Sequence, residues 1–246
     1  MNPIEQYVHE RNEQVRQNLT DRDLEIDVHR LTESLVRTNY VKNFTYMGIP
    51  ILQYPTDLMV MQELIFRVAP NYIIETGIAF GGMTKFYSHM QKFIGYGEVI
   101  SIDIEIRKHA RYVMMDESEF VTAIEGSSVS DATIEKVNKI ISRNAFGKNS
   151  VIVSLDSNHT HNHVLQELKL YSPLVSVGSY IVVFDTAIEF YGHLDKNQDR
   201  PWGKGNNPYS AVQEFMKDND EFVVDKEIEQ RALITSAPGG WLRRIK

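Results

Sequence analysis

Apolar residues along the chain follow two rhythms. Five short runs are apolar almost throughout and close on or beside an acid: Tyr72–Glu75, Val99–Ile104, Val121–Glu125, Val151–Asp156 and Tyr180–Asp185. Their starts lie 27, 22, 30 and 29 residues apart, the length of a βα unit. Between and before them the apolar positions recur at helical spacing. Leu58, Met61, Leu64, Ile65 and Val68 share one face, as do Ile134, Val137, Ile140 and Ile141, and again Val164, Leu165 and Leu168. Strands without a polar face, separated by amphipathic helices, must be covered on both sides. The pattern therefore predicts a doubly wound, Rossmann-like α/β domain with a mostly parallel sheet.

The flanks read differently. Residues 1 to 45 are polar, with sparse apolar positions such as Ile4, Tyr7, Val8, Leu31, Leu35 and Val36. They predict an N-terminal helical cover that could wall a substrate site or make a homo-oligomer contact, with residues 46–246 forming the α/β core of a single domain. Gly48, Pro50 and Pro55 mark a surface loop leading to a helix near Thr56, and Pro70 ends that helix. After the fifth run, residues 191–208 are rich in Gly, Asn, Asp and Pro, which predicts a mobile loop able to close over a ligand. A short helix over 210–217 and a strand-like FVVD follow. ALITS and WLRRI, joined by Pro238-Gly239-Gly240, are then expected to form a terminal hairpin whose last strand runs antiparallel.

Composition narrows the function. Net charge is −7, from 26 basic and 33 acidic residues with no basic run, which argues against nucleic acid and favours a small-molecule or glycan partner. The absence of cysteine excludes a disulfide framework, a thiolate nucleophile and a Cys-based zinc site. No apolar stretch is long enough to span a bilayer, and the first residues lack a basic-then-apolar leader, so a cytoplasmic protein is expected.

Candidate chemistry collects where the strands end, the place at which open parallel sheets bind ligands. The stretch NYIIETGIAFGGMTK, Asn71 to Lys85, passes from strand to helix through Gly77, Gly81 and Gly82. Its E-x-G-x-x-x-G-G spacing departs from the dinucleotide fingerprint G-x-G-x-x-G and resembles the first motif of class I S-adenosylmethionine-dependent methyltransferases. That resemblance implies that Glu75 faces the methionine amino end, that Gly77 lets the cofactor lie against the backbone, and that Gly81 belongs to the same loop. Asp103, 28 residues after Glu75, stands where an acid accepts ribose hydroxyls. Ser127 and Ser128 leave room for an adenine ring and offer hydroxyls to its edge. Asp156 and Asp185, with Thr186 beside the latter, offer the oxygen ligands that magnesium prefers, and Asp156 borders the cofactor as well. His159, His161 and His163 also admit zinc, or an iron site of Asp156, His159 and His161, but neither H-E-x-x-H nor any cysteine supports them.

Several motifs in order extend the resemblance: M-G-x-P-x-x-Q-x-P-x-D at Met47–Asp57, E-T-G-x-x-x-G-G, L-D-S-x-H-x-x-x-H-V-x-x-E-L, S-x-G-S-Y-x-V-V-x-D-T and P-G-G-W-L-x-R. From Phe44 to Ile245 the chain resembles the cephalosporin hydroxylase family, which is similar to S-adenosylmethionine- and magnesium-dependent O-methyltransferases acting on antibiotics and sugars, macrolide sugars included. The resemblance implies Asp156 and Asp185 as metal ligands and His159 as general base. One position departs from it. Phe184 stands where the family often has Glu, so either Thr186 or water fills the vacancy, or metal binding is weakened and Phe184→Glu should tighten it. An oxygen-dependent hydroxylase, and a degenerate cofactor-binding protein without turnover, are the rival readings. Trp202, Tyr191 and Tyr209 are candidate walls for a sugar ring.

Overall fold

The computed structural model describes residues 2–18, 20–143, 149–196 and 198–246. The chain opens with two helices, α1 (Pro3–Asn18) and α2 (Arg22–Arg37). Asp21 caps α2 by accepting from the Leu24 N–H, satisfying a donor that the first helical turn leaves free. The segment expected as a bare loop contains a small hairpin, β1 (Thr45–Tyr46) with β2 (Ile49–Pro50), turning at Met47-Gly48. Helix α3 (Pro55–Val68) begins with proline at its first position and ends where Ala69 turns left-handed ahead of Pro70.

The alternating unit then runs without interruption: β3 (Tyr72–Thr76), α4 (Gly82–Ile94), β4 (Glu98–Asp103), α5 (Lys108–Asp116), β5 (Val121–Glu125), α6 (Asp131–Ile141), β6 (Val151–Leu155), α7 (His161–Tyr171) and β7 (Tyr180–Val183). The chain closes with α8 (Ile188–Tyr191), α9 (Pro208–Lys217), β8 (Phe222–Val224), α10 (Lys226–Ala232) and β9 (Trp241–Arg244). Seven strands form one sheet in the order β5-β4-β3-β6-β7-β9-β8. The first five in sequence are parallel, and β9 runs antiparallel between β7 and β8.

Alternation along the strands builds two cores. Ile73, Ile152, Tyr180, Val182 and Phe184 face one helical layer, and Ile74, Ile100, Val153, Ile181 and Val183 face the other. Each is buried to 1% exposure or less, as a sheet covered on both sides requires. At the far edge the expected hairpin partner is wrong. β9 pairs with Phe222–Val224, while residues 232–236 end α10 and turn through Leu233 at φ +58°. Ala232 is held with Ile228, one helical turn earlier, against the core. The N-terminal helices lie on the C-terminal part of the chain: α1 packs on α10, and α2 reaches the turn after α8. Among the described residues, no helix is long and apolar enough to cross a membrane.

Candidate active site

Strand order reverses around β3, whose neighbours are β4 on one side and β6 on the other. The register aligns Thr76 with both Ile102 and Leu155, and Leu155 with Val183. Glu75, Asp103, Asp156 and Asp185 therefore arrive at one edge of the sheet, the position at which such folds take ligands.

The glycine loop is held by the protein itself. Gly77 has φ +90°, and a Cβ built there would stand 2.0 Å from the carbonyl oxygen of Asp156. Gly77 is thus needed for the loop after β3 to pass the end of β6, a packing requirement that the sequence did not show. At Gly81 a Cβ would meet Val113 of α5 at 3.2 Å, so this glycine seats one helix against another. Asp103 accepts from the N–H groups of Ile78 at 2.8 Å and Ala79 at 3.3 Å with Oδ2, and from Glu105 with Oδ1 at 3.1 Å. A carboxylate has roughly four acceptor sites, so capacity is left for a hydroxyl.

Glu75 lies deeper than its motif suggested, at 1% exposure. Its Oε2 accepts from Thr84 at 2.5 Å and Ser101 at 2.7 Å, while Oε1 is buried without a partner among the described residues. Burial pushes its carboxyl up to about 7. The orphaned oxygen is an acceptor that a ligand ammonium would complete. Ser128 does not fit the adenine role expected of it. Its hydroxyl is buried and donates to Glu167 at 2.6 Å, beside His163, so it belongs to the core below the site. Ser127 remains half-buried at the rim.

Asp156, His159 and Asp185 converge: one potential ligand atom from each lies within 4.8 Å of the others. His159 Nε2 is 3.2 Å from Asp185 Oδ2. Asp185 adopts φ +57°, a left-handed conformation uncommon outside glycine, and such residues cluster at functional sites. Burial raises the Asp156 carboxyl well above the usual range, the nearby charges of Asp185 and Glu75 add to this, and the Gln53 amide opposes them at 2.9 Å. Crowded carboxylates with few donors favour a small divalent cation, and the hard carboxylate oxygens of Asp156 and Asp185 suit magnesium or manganese.

The other expected residues sort clearly. Thr186 is fully buried and donates to the Pro238 carbonyl at 2.7 Å, so it lies outside the cluster and the ligand role assigned to it is withdrawn. His161 bonds Ser210 at 2.8 Å and Glu214 at 3.1 Å on α9, so the iron triad with Asp156 and His159 does not assemble. His163 turns to Ser128 and Ser157. Phe184 is 1% exposed and packs edge-on against Trp241, with ring centroids 6.0 Å apart. A carboxylate there would begin inside the core, which argues against the expectation that Phe184→Glu tightens metal binding.

Around the cluster, Trp202 stands edge-on to His159 at 4.8 Å with the Arg200 guanidinium over its ring at 5.0 Å. Tyr191 bonds His29 of α2 at 2.9 Å, tying the N-terminal segment to the end of α8, whereas Tyr209 packs on Phe190. The 191–208 segment is more tethered than its composition predicted. Glu189 accepts from Gly205 and Asn207, and Asn206 accepts from the His161 N–H. Gln53, Asp57, Ser236 and His29 were not singled out from sequence. Gln53 and Asp57 did lie inside the first of the quoted motifs.

Comparison with known proteins agrees with this arrangement. Residues 38–245 match the family model described as Rhamnosyl O-methyltransferase/CmcI. The chain is 31% identical over 203 residues to the Rhamnosyl O-methyltransferase of Mycobacterium tuberculosis (strain ATCC 25618 / H37Rv), covering 81% of this chain and 78% of that one. To the protein of the same name from Mycobacterium leprae (strain TN) it is 29% identical, covering 88% and 93%. A solved structure of CmcI with Mg and SAM superposes with a TM-score of 0.62 at 18% identity, covering 83% of this chain and 78% of that one, which shows the shared fold. With the family model spanning both the glycine loop and the acidic strand ends, the chain belongs to the Rhamnosyl O-methyltransferase/CmcI family.

Proposed function

We propose that the protein transfers the methyl group of S-adenosylmethionine to a sugar hydroxyl, rhamnose being the first candidate, with magnesium held by Asp156 and Asp185. The observation that carries this reading is the convergence of Asp156, His159 and Asp185 at the strand ends, in a chain whose relatives are named rhamnosyl O-methyltransferases. When bound, the cofactor supplies an electrophilic methyl group and the cation lowers the pKa of the acceptor hydroxyl.

The chain's own residues do the remainder. Glu75 offers its unpartnered oxygen to the cofactor's amino group, Asp103 its spare acceptor sites to the ribose, and the loop from Gly77 to Gly81 carries both. Ser127 borders the adenine end. Asp156 and Asp185 present the carboxylate oxygens that hold the cation. His159, oriented between Asp185 and Trp202, takes the acceptor proton. Trp202 and Tyr191 wall the acceptor and limit water. Alignment of the acceptor oxygen with the methyl group provides the rest of the rate enhancement.

The test is transfer of labelled methyl from S-adenosylmethionine to a panel of rhamnosides and other glycosides. Labelled rhamnoside product supports the reading; binding of NAD in preference to S-adenosylmethionine would end it. The exposed Ile4, Tyr7 and Val8 on α1 support self-association through the N-terminal helices, which light scattering of the full chain and a chain lacking α1 would test.

A further inference from the structure

Gln53 is 2% exposed, yet its Nε2 lies 2.9 Å from Asp156 Oδ2. Among the described residues it supplies the side-chain hydrogen bond to that carboxylate. Its other end accepts from the Ser236 hydroxyl at 3.1 Å. Ser236, itself 4% exposed, gives its backbone N–H to Asp57 Oδ2 at 2.8 Å, and its one hydroxyl proton, which also faces Gln53, is shared with that same oxygen at 2.8 Å. Asp57 is 1% exposed at the start of α3, and Ser236 lies in the turn before β9. The two segments are clasped beside this chain of bonds, where Thr56 donates to the Ile234 carbonyl at 2.5 Å.

The polarity of these groups gives the chain a direction. A carboxylate only accepts, so the amide must turn its NH2 toward Asp156 and its carbonyl toward Ser236. Rotating Gln53 by half a turn would set a carbonyl oxygen against Asp156 and leave the Ser236 hydroxyl facing an NH2 group. Asp57 holds Ser236, Ser236 holds the amide, and the amide holds one oxygen of Asp156 while the other is left for a ligand. Partners of this kind beyond the direct ligands typically change metal affinity 10- to 100-fold.

We propose that Gln53, locked by Ser236 and Asp57, is a positioning residue that aims the Asp156 carboxylate at the bound cation. The inference rests on the reading of Asp156 as a cation-holding residue. Its test is calorimetric titration of magnesium into protein saturated with S-adenosylhomocysteine, comparing wild type, Gln53→Met and Ser236→Ala. Gln53→Met, close in size but without a donor, should raise the magnesium Kd about 10- to 100-fold, and Ser236→Ala should raise it less. Affinity for S-adenosylhomocysteine should stay within about twofold, and excess magnesium should restore kcat, a rescue that general loosening of the fold would not give. If Gln53→Met does not fold, Ser236→Ala decides by the same readout. An unchanged magnesium Kd in the folded variant, with wild type binding magnesium, overturns the positioning role alone. Wild type that binds no magnesium removes the cation reading and this inference with it.

Discussion

His159 Nε2 lies 3.2 Å from Asp185 Oδ2, a pairing of residues that follow different strands of the sheet. The contact orients the imidazole over the acidic cluster, with Trp202 fixing the other side. Base and ligand roles for His159 give different kinetics. As base, His159→Ala should lower kcat about 10²- to 10⁴-fold while magnesium and cofactor affinities stay within about twofold. Steady-state kinetics with calorimetry on the same variant checks this. A large rise in the magnesium Kd would make His159 a ligand instead.

Gly77→Ala tests how the glycine loop and the metal site are joined. The added methyl would collide with the Asp156 carbonyl at 2.0 Å, and φ is +90°, so the backbone has to move rather than a flexible side chain. Both halves of the site should fail together, with cofactor and magnesium affinity each falling at least about tenfold. Loss of cofactor binding with normal magnesium binding would show that the glycine serves the cofactor alone.

Phe184→Glu should destabilise the protein rather than improve it. The ring is buried against Trp241 among apolar core residues. Loss of the aromatic packing plus a buried charge should cost about 3–5 kcal/mol. Denaturant unfolding measures this directly, and magnesium affinity should not rise.

Stability of the ligand-free protein should fall as pH rises. Burial pushes Glu75 up to about 7 and Asp57 up to about 6, from ordinary values of 4.5 and 3.8. A carboxyl raised by folding stabilises fully below its unfolded value, and that contribution is lost as pH rises through the folded one. The window is therefore roughly pH 4 to 7. Each tenfold change in acidity is worth about 1.4 kcal/mol, so the loss is a few kcal/mol in all. Glu117 titrates the other way, because Lys92 and Ser88 outweigh its burial, but its window lies below 4.5. Thermal unfolding at pH 5.5 and 8 should show the decline. A Tm that climbs from pH 5.5 to 8 would contradict the assignment.

The five parallel strands and their acidic ends were legible in the sequence because burial on both faces leaves a local signal, a continuous apolar run. The site was legible only where a residue ends such a run. Asp156 and Asp185 were visible for that reason, whereas the base role of His159 came from the family resemblance. What escaped depends on distant segments. Gln53 meets Asp156 across 103 positions and Ser236 across 183, and no periodicity records either contact. That Gly77 also clears the Asp156 carbonyl of the neighbouring strand end shows only in the folded chain. Thr186 and Ser128 were assigned by position, but their hydroxyls are committed to Pro238 and Glu167. The hairpin error has a similar origin. Residues 232–236 are apolar enough to resemble a strand, yet in a buried turn the Thr235 hydroxyl accepts from the Ala237 N–H and the Ser236 hydroxyl donates toward Asp57, and three residues of β8 supply the pairing.

Methyl transfer by this protein should depend on the cation held at Asp156 and Asp185. Labelled S-adenosylmethionine and a rhamnoside acceptor should be incubated with wild type and with Asp185→Ala, after chelation and after magnesium is restored. The prediction is that chelation lowers wild-type transfer at least about 100-fold, that magnesium restores it, and that Asp185→Ala stays slow in both conditions while binding the cofactor normally. Full transfer by chelated wild type, matched by Asp185→Ala, would contradict the role given to Asp156, His159 and Asp185.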